Sequence, residues 1–442
     1  MSSSSSRRRS PRRAQRQPAP LEAEVEIERL GAGGDGVGQW RGAPLYVPGL
    51  LPGERARVGV GPRRGAGRLA ETIARLTDAP ERVTPPCPYA EACGGCTLQH
   101  LADDAYLAWK DGLLEQALAA RGLEPERRQP LIRIEAGRRR LRFAARGRER
   151  GGVLGFNGKG SGRIVDIARC IAAEPALIDA PTRLRPFVER LLQPGETADL
   201  DVRAAPAGLD VVLVRRRPLD LREREAAAAF VREEGIARLA WLADDRDAPE
   251  IVAERKAPDI DLGRLRVTPP PGAFLQPTAG GEAAMAAFAA EWLQGAARVA
   301  DLYAGWGAFA LRLADPMHVE AFEGDAAMIE ALKRAAFGAG LGGFVQATAR
   351  DLARQPLLGA ELKRFDAVLL DPPRAGAPEQ SAALAADGPA VVVYLSCNPA
   401  ALARDARTLV DGGYRLVEAT PIDQFRWTPH LEVAARFERP RA

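Results

Sequence analysis

Lysine is scarce in this chain: only Lys110, Lys159, Lys256, Lys333 and Lys363 stand among 62 basic residues. A biased, arginine-coding genome explains that imbalance more simply than function does. No run of about 18 apolar residues occurs, so no transmembrane helix is expected. Residues 1–20 lack any hydrophobic stretch, and a secretory signal is therefore not expected either. Cysteine is limited to five unevenly spaced residues in 442, which does not resemble a disulfide framework and fits a reducing cytoplasm. The turn Gly305-Trp306-Gly307 lacks the third glycine of a dinucleotide-binding fingerprint. Histidine occurs three times. His100 and His318 read as structural, and only His430, beside Glu432, is placed to orient a base.

What is present is globular: 46% hydrophobic and 27% charged residues over a length that implies two or three domains. Charge is uneven. The tail at 1–20 holds six arginines and no acid, so the remaining residues carry −2 of the +4 total. Low-complexity and basic, that tail cannot bury enough surface to order itself, and it reads as disordered, a solubilising extension or an arm for phosphates. An anionic partner must otherwise be met by local patches.

Residues 21–78 read as a small closed barrel of about five short strands with glycine turns, of the oligonucleotide-binding type. Arg55, Arg57, Arg63, Arg64 and Arg68 turn that reading towards RNA. Residues 79–262 read as a central α+β domain. It opens on Cys87, Cys93 and Cys96, with five and two residues between them. Two glycines between Cys93 and Cys96 let the backbone wrap around a shared metal centre, and Cys170 is the candidate fourth ligand. Spacing alone leaves zinc and an iron–sulfur cluster open. Residues 100–122 carry a helical stripe of Leu107, Lys110, Leu114 and Leu118. Alternation at 138–150 puts Arg140, Arg142 and Arg146 on one face, against phosphates or water.

Residues 263–442 read as a Rossmann-like α/β domain. Two apolar runs, Ala367–Leu370 and Val391–Leu395, have the length of buried parallel strands, and each ends in a reactive-looking turn. These turns, Asp371-Pro372-Pro373 and Ser396-Cys397-Asn398-Pro399, should face one crevice. Glu323 and Asp351 end two further strand-like pieces, where a carboxylate can meet ribose hydroxyls. NAD and S-adenosylmethionine both fit this half. A thiol at Cys397 separates them, since hydride transfer needs no nucleophile and methylation of an unreactive ring carbon does.

The motifs C-x5-C-x2-C, D-P-P-R-x-G, S-C-N-P and D-Q-F-x-x-T-P-H-x-E together resemble the S-adenosylmethionine-dependent RNA (uracil-5)-methyltransferases. The similarity is greatest to the iron–sulfur-containing 23S ribosomal RNA branch with an N-terminal TRAM barrel, and it runs from Ala23 onward. The resemblance implies that Cys397 adds to carbon 6 of uracil and that Glu432 removes the carbon 5 proton. It implies that Asp371 and Phe274 meet the base, which must be flipped out. Gln276, Tyr303, Gly305, Glu323, Asp351 and Asp371 would bind S-adenosylmethionine, and Cys87, Cys93, Cys96 and Cys170 a [4Fe–4S] cluster. The helix at 100–122 would pack on the C-terminal domain. Ala308 and Thr278 stand where the family often has asparagine. The expected partner is ribosomal RNA, with transfer RNA as the near alternative, and the expected protein is a cytoplasmic monomer away from membranes. A non-catalytic RNA-binding assembly factor and a Rossmann oxidoreductase are the readings from other classes.

Overall fold

Short runs broken by glycine turns build the first part of the chain. The computed structural model describes residues 21–135, 137–244, 248–263 and 265–440, so the basic tail lies outside it. The chain divides into two bodies at Arg82 and Val83. In the first, β1 (Leu21–Glu26), β2 (Arg29–Leu30), β3 (Gly36–Trp40), β4 (Ala43–Val47), β5 (Arg55–Arg64) and β6 (Gly67–Arg75) pair in the order β1-β5-β6-β4-β3-β2. The sheet curls like a barrel. A Cβ on Gly38 would stand 2.4 Å from Val25 Cγ2, so β3 approaches β1 at backbone distance. Val25, Ile27, Leu45, Val47 and Val58 fill its interior. The strand beyond the expected five is β2, too short to register as a period. Of the arginines set against RNA, Arg55, Arg57 and Arg64 instead face Glu24, Glu22 and Asp35.

The second body opens with the cysteine-bearing segment, followed by α1 (Asp103–Ala119), β7 (Arg127–Arg128) and β8 (Ile132–Arg133). Next come β9 (Arg140–Gly147), β10 (Gly152–Asn157), β11 (Ile164–Asp166), β12 (Thr197–Ala205), β13 (Gly208–Val214), β14 (Arg238–Leu242) and β15 (Glu250–Glu254). They form one sheet ordered β11-β10-β9-β12-β13-β14-β15. Two helices, α2 (Ala180–Leu191) and α3 (Leu221–Glu233), are joined by Phe187 stacked on Phe230. Asp220 and Glu223 close a capping box at the start of α3. A ribbon of β16 (Ile260–Asp261) and β17 (Arg266–Val267) leads onward.

The remaining chain alternates helix and strand. Its helices are α4 (Ala279–Trp292), α5 (Ala310–Leu313), α6 (Ala326–Gly338), α7 (Gly359–Leu362), α8 (Pro378–Asp387) and α9 (Pro399–Asp411). Its strands are β18 (Arg298–Leu302), β19 (His318–Glu323), β20 (Val345–Ala349), β21 (Ala367–Leu370), β22 (Val391–Ser396), β23 (Arg415–Asp423) and β24 (Glu432–Glu438). They lie in the order β20-β19-β18-β21-β22-β24-β23 and continue to β7 and β8 beyond. The first five are parallel, and β24 runs antiparallel to β22. Helices cover both faces, which explains the unbroken apolar runs. Val299, Leu369 and Val393 pack into one layer, and Leu302, Val368 and Val392 into the other. Chain order reverses between β18 and β21, and a crevice opens at their carboxyl ends.

Candidate active site

The strands bordering that crevice each have a residue singled out above at their crevice end. Tyr303 follows β18, Asp371 follows β21, Cys397 follows β22, and Glu432 begins β24. Ser396 pairs with Val433 across β22 and β24. Cys397 and Glu432 are the next residues outward on the two chains, one step beyond that last pair, and the Glu432 charge acts on the Cys397 thiol. Both line one cavity of about 600 Å³, together with Gln276, Tyr303, Gly305, Glu323, Asp371 and Phe274. Asp351 is the exception among the expected site residues. It stands outside the lining, where its carboxylate accepts from the backbone amides of Ala353 and Arg354.

The turn after β18 has left-handed backbone at Tyr303, Gly305 and Gly307. Glu323 holds it from the next strand, accepting from the Gly305 amide at 3.0 Å and from the Asp325 amide at 2.9 Å. The S-C-N-P turn is fixed as a helix start. Asn398 caps α9 by accepting from the Ala400 amide, Pro399 takes the first helical position, and the Asn398 amide group donates to Arg374 O.

A chain of side-chain amides connects the two carboxylates. Gln276 Nε2 donates to Asp371 Oδ2 at 2.9 Å. Gln424 Nε2 donates both to Gln276 Oε1 at 3.1 Å and to Glu432 Oε2 at 2.9 Å. The backbone and hydroxyl of Thr278 donate to Gln424 Oε1 at 3.4 Å, which fixes the direction of the whole chain. Thr278 also caps α4. Its replacement of an expected asparagine thus keeps a polar role.

Burial, and then the charge of Asp371, push the Glu432 carboxyl above its usual range, while Gln424 draws it down. Asp371 is raised mainly by burial. Burial followed by the Glu432 and Asp371 charges raises the Cys397 thiol to about 11, and Arg374 opposes them. His430 also lines the cavity, and burial followed by Arg374 lowers it to about 4, so it is neutral at pH 7. Arg374 and Gln424 were not singled out in the sequence. Both sit inside motifs quoted above, and a polar Gln424 ending a buried strand was the available signal.

The cysteines form a second locus. Cys87, Cys93, Cys96 and Cys170 line one cavity of about 270 Å³, and all are free thiols. Gly94 brings the loop against β10, since a Cβ there would meet Asn157 O at 2.8 Å. Among the described residues no group of three or more His, Cys, Asp or Glu is gathered tightly enough to hold a metal ion. The expected centre is thus matched in the grouping of its thiols and not in a closed ligand set. Among the described residues no helix is long and apolar enough to cross a membrane.

The arginine face expected on β9 is only partly open. Arg140 and Arg142 pair with Asp201 and Asp199 of β12 at 2.6 and 2.8 Å. The Arg140 guanidinium also lies 6.0 Å from the centre of the exposed Phe274 ring.

Comparison with known proteins finds relatives along nearly the whole chain. The profile of the tRNA (Uracil-5-)-methyltransferase family matches residues 263–439. An RNA methyltransferase of Rhizobium meliloti is 40% identical over 422 residues, covering 94% of this chain and 99% of the relative. The 23S rRNA (uracil(1939)-C(5))-methyltransferase of Chromohalobacter salexigens is 37% identical, covering 92% of this chain and 87% of the relative. Among solved structures, the Pyrococcus abyssi tRNA (uracil-54, C5)-methyltransferase bound to S-adenosyl-L-homocysteine superposes with a TM-score of 0.71. It is 25% identical and the match covers 94% of this chain and 100% of that one. The chain belongs to the family of RNA (uracil-5)-methyltransferases.

Proposed function

We propose that this enzyme methylates carbon 5 of a uridine in 23S ribosomal RNA through a covalent adduct on Cys397. The observation that carries the reading is that Cys397 and Glu432 flank the last pair of the β22–β24 ladder, Ser396–Val433, and line one cavity. The Cys397 thiolate adds to carbon 6 of the flipped uracil and makes carbon 5 nucleophilic. After carbon 5 has taken the methyl group, Glu432 accepts the proton from that carbon. The sulfur–carbon 6 bond then breaks, and thiolate and product separate. Asp371, held by Gln276, meets the uracil edge, and Phe274 offers a face at the mouth.

S-adenosylmethionine supplies the methyl group on a sulfonium centre. The lining suits a ligand bearing positive charge, because Glu323 and Asp325 outnumber Arg374, while burial holds Asp371 and Glu432 towards their neutral forms and His430 is neutral. Gln276, Tyr303, Gly305, Glu323 and Asp371 are the residues we assign to it. Asp351 joins them from beside Gly324, whose Cβ would lie 3.9 Å from Asp351 Cα. We assign a [4Fe–4S] cluster to Cys87, Cys93, Cys96 and Cys170. Four free thiols around a cavity suit a multi-atom cluster better than a single ion, which needs its ligands drawn to one point.

RNA carrying 5-fluorouridine should form a stable adduct with the enzyme and S-adenosylmethionine, because fluorine cannot leave carbon 5 as a proton does. Denaturing gels should show that adduct, and Cys397→Ala should abolish it. An adduct that persists in the variant would mean the nucleophile lies elsewhere. The ribosomal relative supports 23S RNA, and the transfer RNA enzyme of similar fold supports a second reading. Mapping 5-methyluridine in RNA from cells with and without this protein decides between them.

A further inference from the structure

A third cavity, of about 600 Å³, lies at the far end of β9 and shares no lining residue with the catalytic one. Arg146, Arg148 and Arg163 line it, with Glu149 as its carboxylate. The strand register explains why these arginines stay open. Along one face of β9, Arg140 and Arg142 meet the aspartates of β12, and Arg146 comes opposite Thr197. Its neighbour on the other side is Val153 of β10. The ladder of acids stops one step before the ladder of arginines does. Arg148 lies in the β9–β10 turn and Arg163 just before β11, so two connections bring a guanidinium each to the side where Arg146 is unmatched. All three are exposed, and none has a carboxylate partner among the described residues. Gly147, Gly162 and Gly195 complete the wall without side chains to block an approach.

We infer that this cleft holds the phosphodiester backbone of the substrate RNA outside the catalytic cavity; the inference rests on the chain's being an RNA methyltransferase. Guanidinium forks match phosphate oxygens in pairs. Each neutralised phosphate releases counterions, which couples affinity to salt. Such contacts position the polymer without reading sequence. The cleft therefore raises the affinity for long RNA and leaves the chemical step to the other cavity.

The test compares the full chain with R146Q/R148Q/R163Q, using a labelled RNA stem–loop with a uridine in its loop. Binding is measured across a range of potassium chloride concentrations. The variant should bind at least about tenfold more weakly, and the slope of log affinity against log salt should fall by roughly two to three. S-adenosylmethionine binding and the rate at saturating RNA should not change. The lysine variant R146K/R148K/R163K should keep the slope, and the pair R222Q/R232Q on α3, which takes no part in the cleft lining, should leave it unaltered. An unchanged slope in the glutamine variant, or an equal loss in the α3 pair, overturns the inference. Binding is read without turnover, so failure of the methylation reading shows separately, as a full chain that binds RNA and methylates no uridine.

Discussion

Glu432 is buried beside a second carboxylate, and the role of base proposed for it requires it to be ionised. Burial and the charge of Asp371 raise its pKa, so activity should rise with pH through that raised value. The same shift acts on stability with the opposite sign. Between the ordinary glutamate range and the raised value, the native state binds more protons than the unfolded one, so stability falls as pH rises. Gln424 moderates this by donating to Glu432 Oε2. Gln424→Leu removes a hydrogen bond to a charged group, worth about 1.5–3 kcal/mol, and should cost roughly ten- to a hundredfold in rate on the acidic limb. That limb should move to higher pH, while S-adenosylmethionine binding falls less. A single-turnover pH profile displaced in rate but not in pH would reduce Gln424 to packing. Cys397, Glu432 and Asp371 were legible in the sequence because each ends or begins a strand within a short motif. The amide chain was not, because Gln276 and Gln424 are 148 positions apart and nothing local to either points to the other.

Helix α1 shows the same limit one scale up. Its stripe of Leu107, Lys110, Leu114 and Leu118 reads as a helix with a lysine among leucines. The structure turns that lysine fully inward, where Lys110 Nζ meets Asp423 Oδ1 at 2.8 Å and also reaches His430 O. Tyr106 donates to Asp423 Oδ2 at 2.7 Å and accepts from the Trp427 amide. The helix thus clamps both ends of the connection between β23 and β24, the segment that carries Gln424, Phe425 and His430 to the cavity. Periodicity reveals the helix and not its partner, which lies 313 positions away. Lys110→Met should leave Asp423 buried without its cation and cost about 3–5 kcal/mol. Thermal unfolding should show a drop of several degrees. A loss below about 1 kcal/mol would mean that Tyr106 and the Phe425 amide, which donates to Asp423 Oδ1 at 3.1 Å, suffice.

Over the whole molecule, composition and strand runs made the alternating α/β half legible, but not its order. Nothing local says that β24 inserts between β22 and β23, yet that insertion is what brings Glu432 to Cys397. Cys170 was legible as the candidate fourth thiol, but its route was not: it reaches the other three by way of the β10–β11 hairpin. The cysteine loop is also tied to the active site. The amides of Thr97 and Leu98, directly after Cys96, donate to Trp427 O at 2.9 and 3.1 Å. A group bridging the four thiols would therefore brace the segment that carries His430 and precedes Glu432. Protein purified without air should be brown and contain iron and sulfide, and Cys96→Ser should lose both; zinc alone on metal analysis would refute the cluster. Removing the metal with a chelator should speed amide hydrogen exchange at residues 424–431 before it affects β18, because β18 is paired on both sides with β19 and β21 while the cysteine loop bonds that segment directly through Thr97 and Leu98. Equal exchange at 424–431 with and without metal would uncouple the thiol cavity from the catalytic one.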